Sequence, residues 1–156
     1  METVERLKSE FSSSLTSLPS TNANETLLLL SENEALKKLV KSISTEFDIL
    51  FTLLIVDRPP EAFELNYVFS RYRDSALLTI RVNLNHDKPV IDSIAKILPS
   101  AEWEEREAYD LFGIKFRGHP DLRRILLQDD WPGRPLRKDF VVTDEIRNWT
   151  GLDLKF

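Results

Sequence analysis

The residues best equipped for chemistry in this chain lie between Trp103 and Asp139, and they are carboxylates, arginines and one histidine. Glu104, Glu105 and Glu107 suggest an acid/base pair of the kind that cleaves glycosidic bonds. At about 100° per residue they fall on different faces of one helix, and nothing nearby marks a sugar cleft. His119 with Asp121 could begin a metal site, but no further ligands cluster near them in sequence, and a hydrogen-bonded loop histidine is the simpler reading. His86, the other of two histidines, lies on a different loop. There is no cysteine, which removes disulfides, thiolate iron–sulfur ligation and a cysteine nucleophile from this chain. Nor is there a GxGxxG, a P-loop or a serine in a GxSxG elbow.

What remains is recognition. The stretch GHPDLRRILLQDDWPGRPLRKDF, Gly118 to Phe140, carries three prolines and two glycines, and its only apolar run is Ile125-Leu126-Leu127. Along the arm that includes it, Arg117, Arg123, Arg124, Arg134 and Arg137 interleave with Asp121, Asp129, Asp130 and Asp139. Arginine suits planar, bidentate docking on carboxylates and backbone, and with tryptophan it is favoured at interface anchors. Prolines stiffen such a segment and lower the cost of ordering it. The interleaved aspartates cancel most of the positive field, and the net charge is −5, so nucleic acid and anionic lipid are poor partners. An arm of this composition has no interior of its own and is too long for a structureless loop, so it is expected to lie along another surface.

The helix that feeds the arm is AEWEEREAYDLF, with Ser100 placed to cap it and Gly113 to end it. Ala101, Ala108, Leu111 and Phe112 share one face, while Trp103, Arg106, Glu107 and Asp110 fall on the opposite one. A tryptophan among charges implies a second covered face. Glu105 lands beside the apolar stripe and needs a cation, for which Arg123 or Arg124 is the expected source, because a buried carboxylate is costly unless paired.

Upstream, residues 2–11 read as a short amphipathic helix, followed by a polar linker that ends near Glu25. Thr26 to Leu30 reads as a buried strand. Ser31 and Glu34 form a capping box for a helix that buries Leu36, Leu39, Val40 and Ile43 and ends near Thr45. Ile49 to Val56 is a strand stopped by Pro59-Pro60. Phe63 to Phe69 and Leu78 to Leu84 alternate as a hairpin around a turn at Arg71 to Asp74. Ile91, Ile94, Ala95 and Leu98 mark another helix.

These elements predict an α+β head over residues 1–112, a two-layer domain with helices on one face of a mixed, mainly antiparallel sheet. Residues 113–156 form an extended C-terminal arm. Hydrophobic residues at 42% suffice for a core. The longest apolar run is less than half of the roughly 20 residues needed to span a bilayer, and METVERLKSEF lacks a signal-peptide apolar region.

Glu105-Arg106-Glu107, Asp110, Leu111-Phe112, His119, Arg123 and Ile125-Leu126 resemble the signature of the C subunit of respiratory complex I, the 30-kDa subunit family of NADH:quinone oxidoreductase. The resemblance is dense from residue 91 to 140 and includes Ser93, Pro99, Ala101, Trp103, GHPDLRRIL and DWPGRPLRKDF. It implies a structural subunit of the peripheral arm, on the cytoplasmic side of the membrane. There it would pack against the large quinone-cavity subunit, the D subunit of complex I, and near the iron–sulfur B and I subunits. Iron–sulfur clusters, flavin and quinone then belong to partner subunits, with no cofactor, metal or catalytic residue in this chain and no homo-oligomer. The two readings together make Trp103, Glu105, Arg106, Glu107, Asp110, His119, Arg123, Arg124, Trp131, Arg134, Arg137, Lys138 and Asp139 the expected partner-binding residues. Val141 stands where the family pattern has proline, and Glu102 where it has asparagine. Related hydrogenase-type and photosynthetic quinone-reducing complexes carry similar motifs, and a free-standing binding module is the alternative from another class.

Overall fold

Apolar residues spaced by two through the middle of the chain, and by three or four at its flanks, resolve into a sheet with helices against it. The computed structural model describes residues 2–20 and 25–151. The elements run α1 (Glu2–Glu10), β1 (Leu15–Leu18), β2 (Glu25–Leu30), α2 (Leu36–Ile43), β3 (Ile49–Arg58), β4 (Ala62–Arg71), β5 (Ala76–Asn85), β6 (Val90–Asp92), α3 (Ala101–Phe112), β7 (Lys115–Arg117) and α4 (Asp144–Thr150).

Five strands form one sheet in the order β1-β2-β5-β4-β3. Only β2 and β5 are parallel in it, so the sheet is mixed and mainly antiparallel, and the architecture is the α+β one expected. The alternating hairpin lies inside it: Phe63, Leu65, Tyr67 and Phe69 are fully buried on one side of β4. Leu7 and Phe11 of α1, Leu36, Leu39, Val40 and Ile43 of α2, and Ala101 and Ala108 of α3 close the core on that same side.

The outer edge of β3 is partly blocked, through two donors in its first half. Its register shifts between Leu50 and Thr52, leaving Phe51 as an extra residue. The Leu50 N–H donates to Ser100 Oγ at 3.0 Å, and the Leu53 N–H to Glu104 Oε2 at 2.8 Å. Ser100 therefore serves the strand and makes no side-chain cap on α3, contrary to expectation.

Three other expectations are corrected. Within the expected linker, Leu15–Leu18 pairs with β2; residues 21–24 lie outside the described residues. The Ser31 hydroxyl donates to the Ser14 carbonyl at 3.2 Å, so no capping box forms, and α2 ends at Ile43. The segment from Ile91 to Leu98 is not a helix: Ile91 pairs with Phe116 in a parallel β6–β7 ladder, and turns follow. That ladder carries Ile114 and Phe116 into the core, so the hydrogen-bonded head runs to Arg117. Among the described residues, no helix is long and apolar enough to cross a membrane.

Candidate partner-binding site

Gly113, at φ 79°, ends α3 in the left-handed conformation with its N–H on the Tyr109 carbonyl, and the chain turns back towards the helix it has just left. With Ala101 and Ala108 in the core, the face carrying Arg106 and Asp110 points outward. The arm covers it.

Asp110 is the anchor. It is fully buried, and its Oδ2 accepts the backbone N–H groups of Ile125, Leu126 and Leu127 at 3.1, 2.9 and 2.9 Å. Its Oδ1 lies 3.4 Å from Arg124 Nη1 and 3.8 Å from Arg134 Nη1. Burial alone would raise this carboxyl's pKa. The three N–H donors and the Arg124 charge outweigh that and hold it below the ordinary aspartate value. Arg134 also donates to the Asp110 carbonyl at 2.9 Å and lies over the Tyr109 ring, 4.7 Å from its centre. Arg124 reaches the Trp131 carbonyl at 3.0 Å.

One turn earlier, Arg106 donates to the carbonyls of Arg123 and Arg124, both at 3.2 Å, and stacks on the Trp103 ring at 5.0 Å. The second covered face is therefore real for Arg106 and Asp110, and the cover is this chain's own arm. The arm acquires its shape without a neighbouring polypeptide because one carboxylate and one guanidinium supply the partners that its irregular backbone lacks. Trp103, at 62% exposure, and Glu107 stay outside that cover, as do Leu126, Leu136 and Val141 on the arm.

Glu105 is fully buried but receives no arginine. Ser93 Oγ donates to it at 2.6 Å and the Ile94 N–H at 2.8 Å. Arg123 pairs with Asp121 at 2.8 Å instead. Burial pushes the Glu105 carboxyl up to about 7, although the Ser93 and Ile94 hydrogen bonds and the Lys37 charge pull the other way. Burial, and after it the nearby Glu105 charge, hold the Tyr67 phenol well above its ordinary value. His119 Nε2 lies 3.9 Å from Glu105. The His119 Nδ1 accepts the Asp121 N–H at 3.0 Å, so the ring proton is on Nε2 and points to the Glu102 carbonyl at 3.1 Å. His119 is thus the hydrogen-bonded loop histidine expected.

A second attachment has no counterpart among the sequence expectations. Asp57 and His86, both 4% exposed, meet at 2.9 Å through Oδ1 and Nε2. Arg137 donates to His86 Nδ1 at 3.3 Å and grips Asp139 through two contacts of 2.8 Å. The Lys138 N–H donates to Asp57 Oδ2 at 2.7 Å, so Lys138 acts through its backbone. Phe63 stacks on His86 at 4.6 Å, and Arg137 lies over Phe63 at 5.1 Å. Asp57, His86 and Asp139 bring ligand-type atoms within 4.8 Å of one another. The Arg137 guanidinium already supplies a cation there, and both imidazole nitrogens are engaged. The arrangement is a latch for the end of the arm. The one sequence signal for it is an acid closing the apolar run ILFTLLIVD.

Residues 30–146 match the family described as respiratory-chain NADH dehydrogenase, 30 Kd subunit. The NADH-quinone oxidoreductase C subunit of Moorella thermoacetica is 44% identical over 100 residues, covering 64% of this chain and 68% of the relative. The corresponding C subunit of Chloroherpeton thalassium is 55% identical over 67 residues, which is 43% of this chain and 28% of that one. A Methylococcus capsulatus protein named as a joint C/D subunit is 35% identical over 115 residues, covering 68% of this chain and 20% of its own length. The chain thus spans between a fifth and two thirds of these curated relatives. Among solved structures, a chain of the archaeal membrane-bound sulfane sulfur reductase shares the fold, with a TM-score of 0.80 over 99% of this chain and 93% of that one at 20% identity. The trypsin-resistant fragment 1–134 of Nqo5 gives a TM-score of 0.64 at 26% identity, covering 77% of this chain and 99% of the fragment. With the match running from the second strand through the anchored arm, the chain belongs to the 30-kDa subunit family of respiratory-chain NADH dehydrogenases.

Proposed function

We propose that this chain is a non-catalytic structural subunit of the quinone-reducing arm of an NADH:quinone oxidoreductase. It docks on the large quinone-cavity (D) subunit beside the iron–sulfur B and I subunits, at the cytoplasmic side of the membrane. The observation that carries this reading is that the family match takes in both α3 and the arm that α3 holds. Its mechanism is positional. Asp110, Arg106 and the Asp57–His86 latch pre-organise the arm as a plate, and a pre-ordered surface loses less entropy on docking than a free tail. Trp103, Leu126, Leu136 and Val141 are exposed and suited to being covered. An interface of standard size, about 1,600 Å² in total, lies within reach of such a surface. The Methylococcus capsulatus relative, whose name joins C and D, supports the large quinone-cavity subunit as the neighbour. Flavin, iron–sulfur clusters and quinone are held by the partners, which carry the electron transfer coupled to proton translocation.

Affinity purification of the tagged chain from detergent-solubilised membranes, with mass spectrometry of co-eluting chains, tests this. The expected result is the large quinone-cavity subunit at near-equal stoichiometry, with the two iron–sulfur subunits behind it. Elution as a lone monomer would overturn the reading.

A further inference from the structure

Glu105 sits where α3, β4, the turn after β6 and the arm meet. Its carboxyl takes Ser93 and Ile94 from the turn, lies near Tyr67 of β4, and faces His119 at the arm's first corner. Glu105 and the His119 side chain are both fully buried. The titratable and charged groups around the carboxyl are Tyr67, His119 and, farther off, Lys37 of α2. Among the described residues, no lysine or arginine comes within ion-pair distance of it. A charge placed there has only N–H and O–H dipoles to answer it, and an uncompensated buried charge is costly.

The arm is the movable side of this junction. The His119 ring joins two hydrogen bonds: its Nε2–H points to the Glu102 carbonyl at 3.1 Å, and its Nδ1 accepts the Asp121 N–H at 3.0 Å. Glu105 Oε2 lies 3.9 Å from the same Nε2, too far for a hydrogen bond. A neutral carboxyl leaves this arrangement undisturbed. An ionised one draws the Nε2–H across, and the turning ring carries Nδ1 off the Asp121 N–H. The strain passes on, because Asp121 holds Arg123 at 2.8 Å and the Arg123 carbonyl accepts Arg106 at 3.2 Å. The Tyr67 hydroxyl, buried with no hydrogen-bond partner among the described residues, is a second donor that the charge can recruit.

We propose that Glu105 and His119 form a proton-operated clasp between α3 and the arm, closed over residues 119–123 by the neutral carboxyl and opened by its ionisation. The clasp lies within this chain and works whichever partner the arm meets. Its midpoint falls near neutrality, since burial raises the Glu105 carboxyl to about 7 against the pull of Ser93, Ile94 and Lys37. His119 cannot take the proton instead without giving up the Asp121 N–H, because Nδ1 is the acceptor there. Residues 125–127 hang on a different carboxylate, Asp110, which is held below its ordinary value and stays ionised through neutrality. The response is therefore confined to the arm's first corner.

Nuclear magnetic resonance of the full chain from about pH 5 to pH 9, a span that brackets the raised carboxyl, tests this. The Asp121 amide and the His119 Nε2–H should both shift with one midpoint near 7, while the amides of Ile125, Leu126 and Leu127 hold their positions. Glu105→Gln should fix the first two signals at their acid-side positions. A check that needs no variant is the Glu105 carboxyl carbon, which must titrate with the same midpoint as the Asp121 amide. Different midpoints overturn the inference. So does an Asp121 amide that stays put or shifts equally in Glu105→Gln, and so does protonation of His119 Nδ1 in place of Glu105.

Discussion

Asp110 and Leu126 are 16 residues apart in the chain, yet the carboxylate of one accepts the backbone N–H of the other at 2.9 Å, with the flanking N–H groups of Ile125 and Leu127 on the same oxygen. Asp110→Ala removes that acceptor and leaves Arg124 and Arg134 without their anion. Denaturant unfolding should show a loss of about 3–5 kcal/mol, and trypsin should cut rapidly after Arg123 and Arg124. Because Asp110 titrates below its unfolded value in the fold, its contribution is fully present above about pH 4 and disappears as pH falls through the folded value. The Asp110→Ala chain should lack that acid-sensitive step.

Glu105 has the opposite sign. The fold raises its carboxyl to about 7, so the folded state binds the proton more tightly than the unfolded chain does. Stability from this group is complete below about pH 4.5 and declines as pH rises towards 7, by a total on the order of 3 kcal/mol. Glu105→Gln keeps a carbonyl acceptor for the Ile94 N–H and cannot ionise. Urea denaturation from pH 5 to 8 should therefore be flatter for the variant than for the parent chain. Equal slopes would mean that Glu105 is ionised throughout this range.

Much of this is legible in the sequence, for physical reasons that differ between elements. The hairpin at Phe63 to Leu84 and the helix at Ala101 to Phe112 carry their periods over enough residues to be unambiguous. The second covered face on α3 is legible too, since Trp103, Arg106 and Asp110 share it, but nothing local says whether a neighbour or the chain itself provides the cover. Ile91 to Leu98 misleads because Ile91 gains its partner, Phe116, 25 residues later. Spacings of three and four there mimic a helix. Leu15 to Leu18 looks like linker until β2 pairs with it. Asp57 and Lys138 meet across 81 residues, a distance at which one sequence carries no signal.

Truncation distinguishes the head from the arm. A chain ending at Arg117 keeps Ile114 and Phe116 in the core and should fold, with the Arg106 and Asp110 face now open to water. A chain ending at Phe112 removes both core residues and should be unfolded or aggregated, since each large apolar loss costs about 2–5 kcal/mol. Circular dichroism and thermal melts decide between them.

Arg106→Ala should loosen the first stretch of the arm by about 1–3 kcal/mol and lower assembly on native gels. Arg106→Lys should rescue it only in part, because one ammonium cannot reproduce a planar fork spanning two carbonyls. Full rescue by lysine would show that charge alone suffices.

Gly133 adopts φ 84°, and a Cβ there would come within 2.7 Å of the Phe140 ring. Gly133→Ala should therefore cost about 1–3 kcal/mol through backbone strain and overpacking. The readout is faster hydrogen exchange from residues 131–140 with the sheet unchanged.

The hydroxyl of Ser100 and the carboxylate of Glu104, spent on the N–H groups of Leu50 and Leu53, have a consequence for copies made in excess of their partners. A ten-residue apolar border strand with free donors would recruit identical strands and polymerise into fibres. With the Leu50 and Leu53 donors occupied, the first half of that strand offers a copy nothing to pair with, and an orphan chain is slower to template its own precipitation.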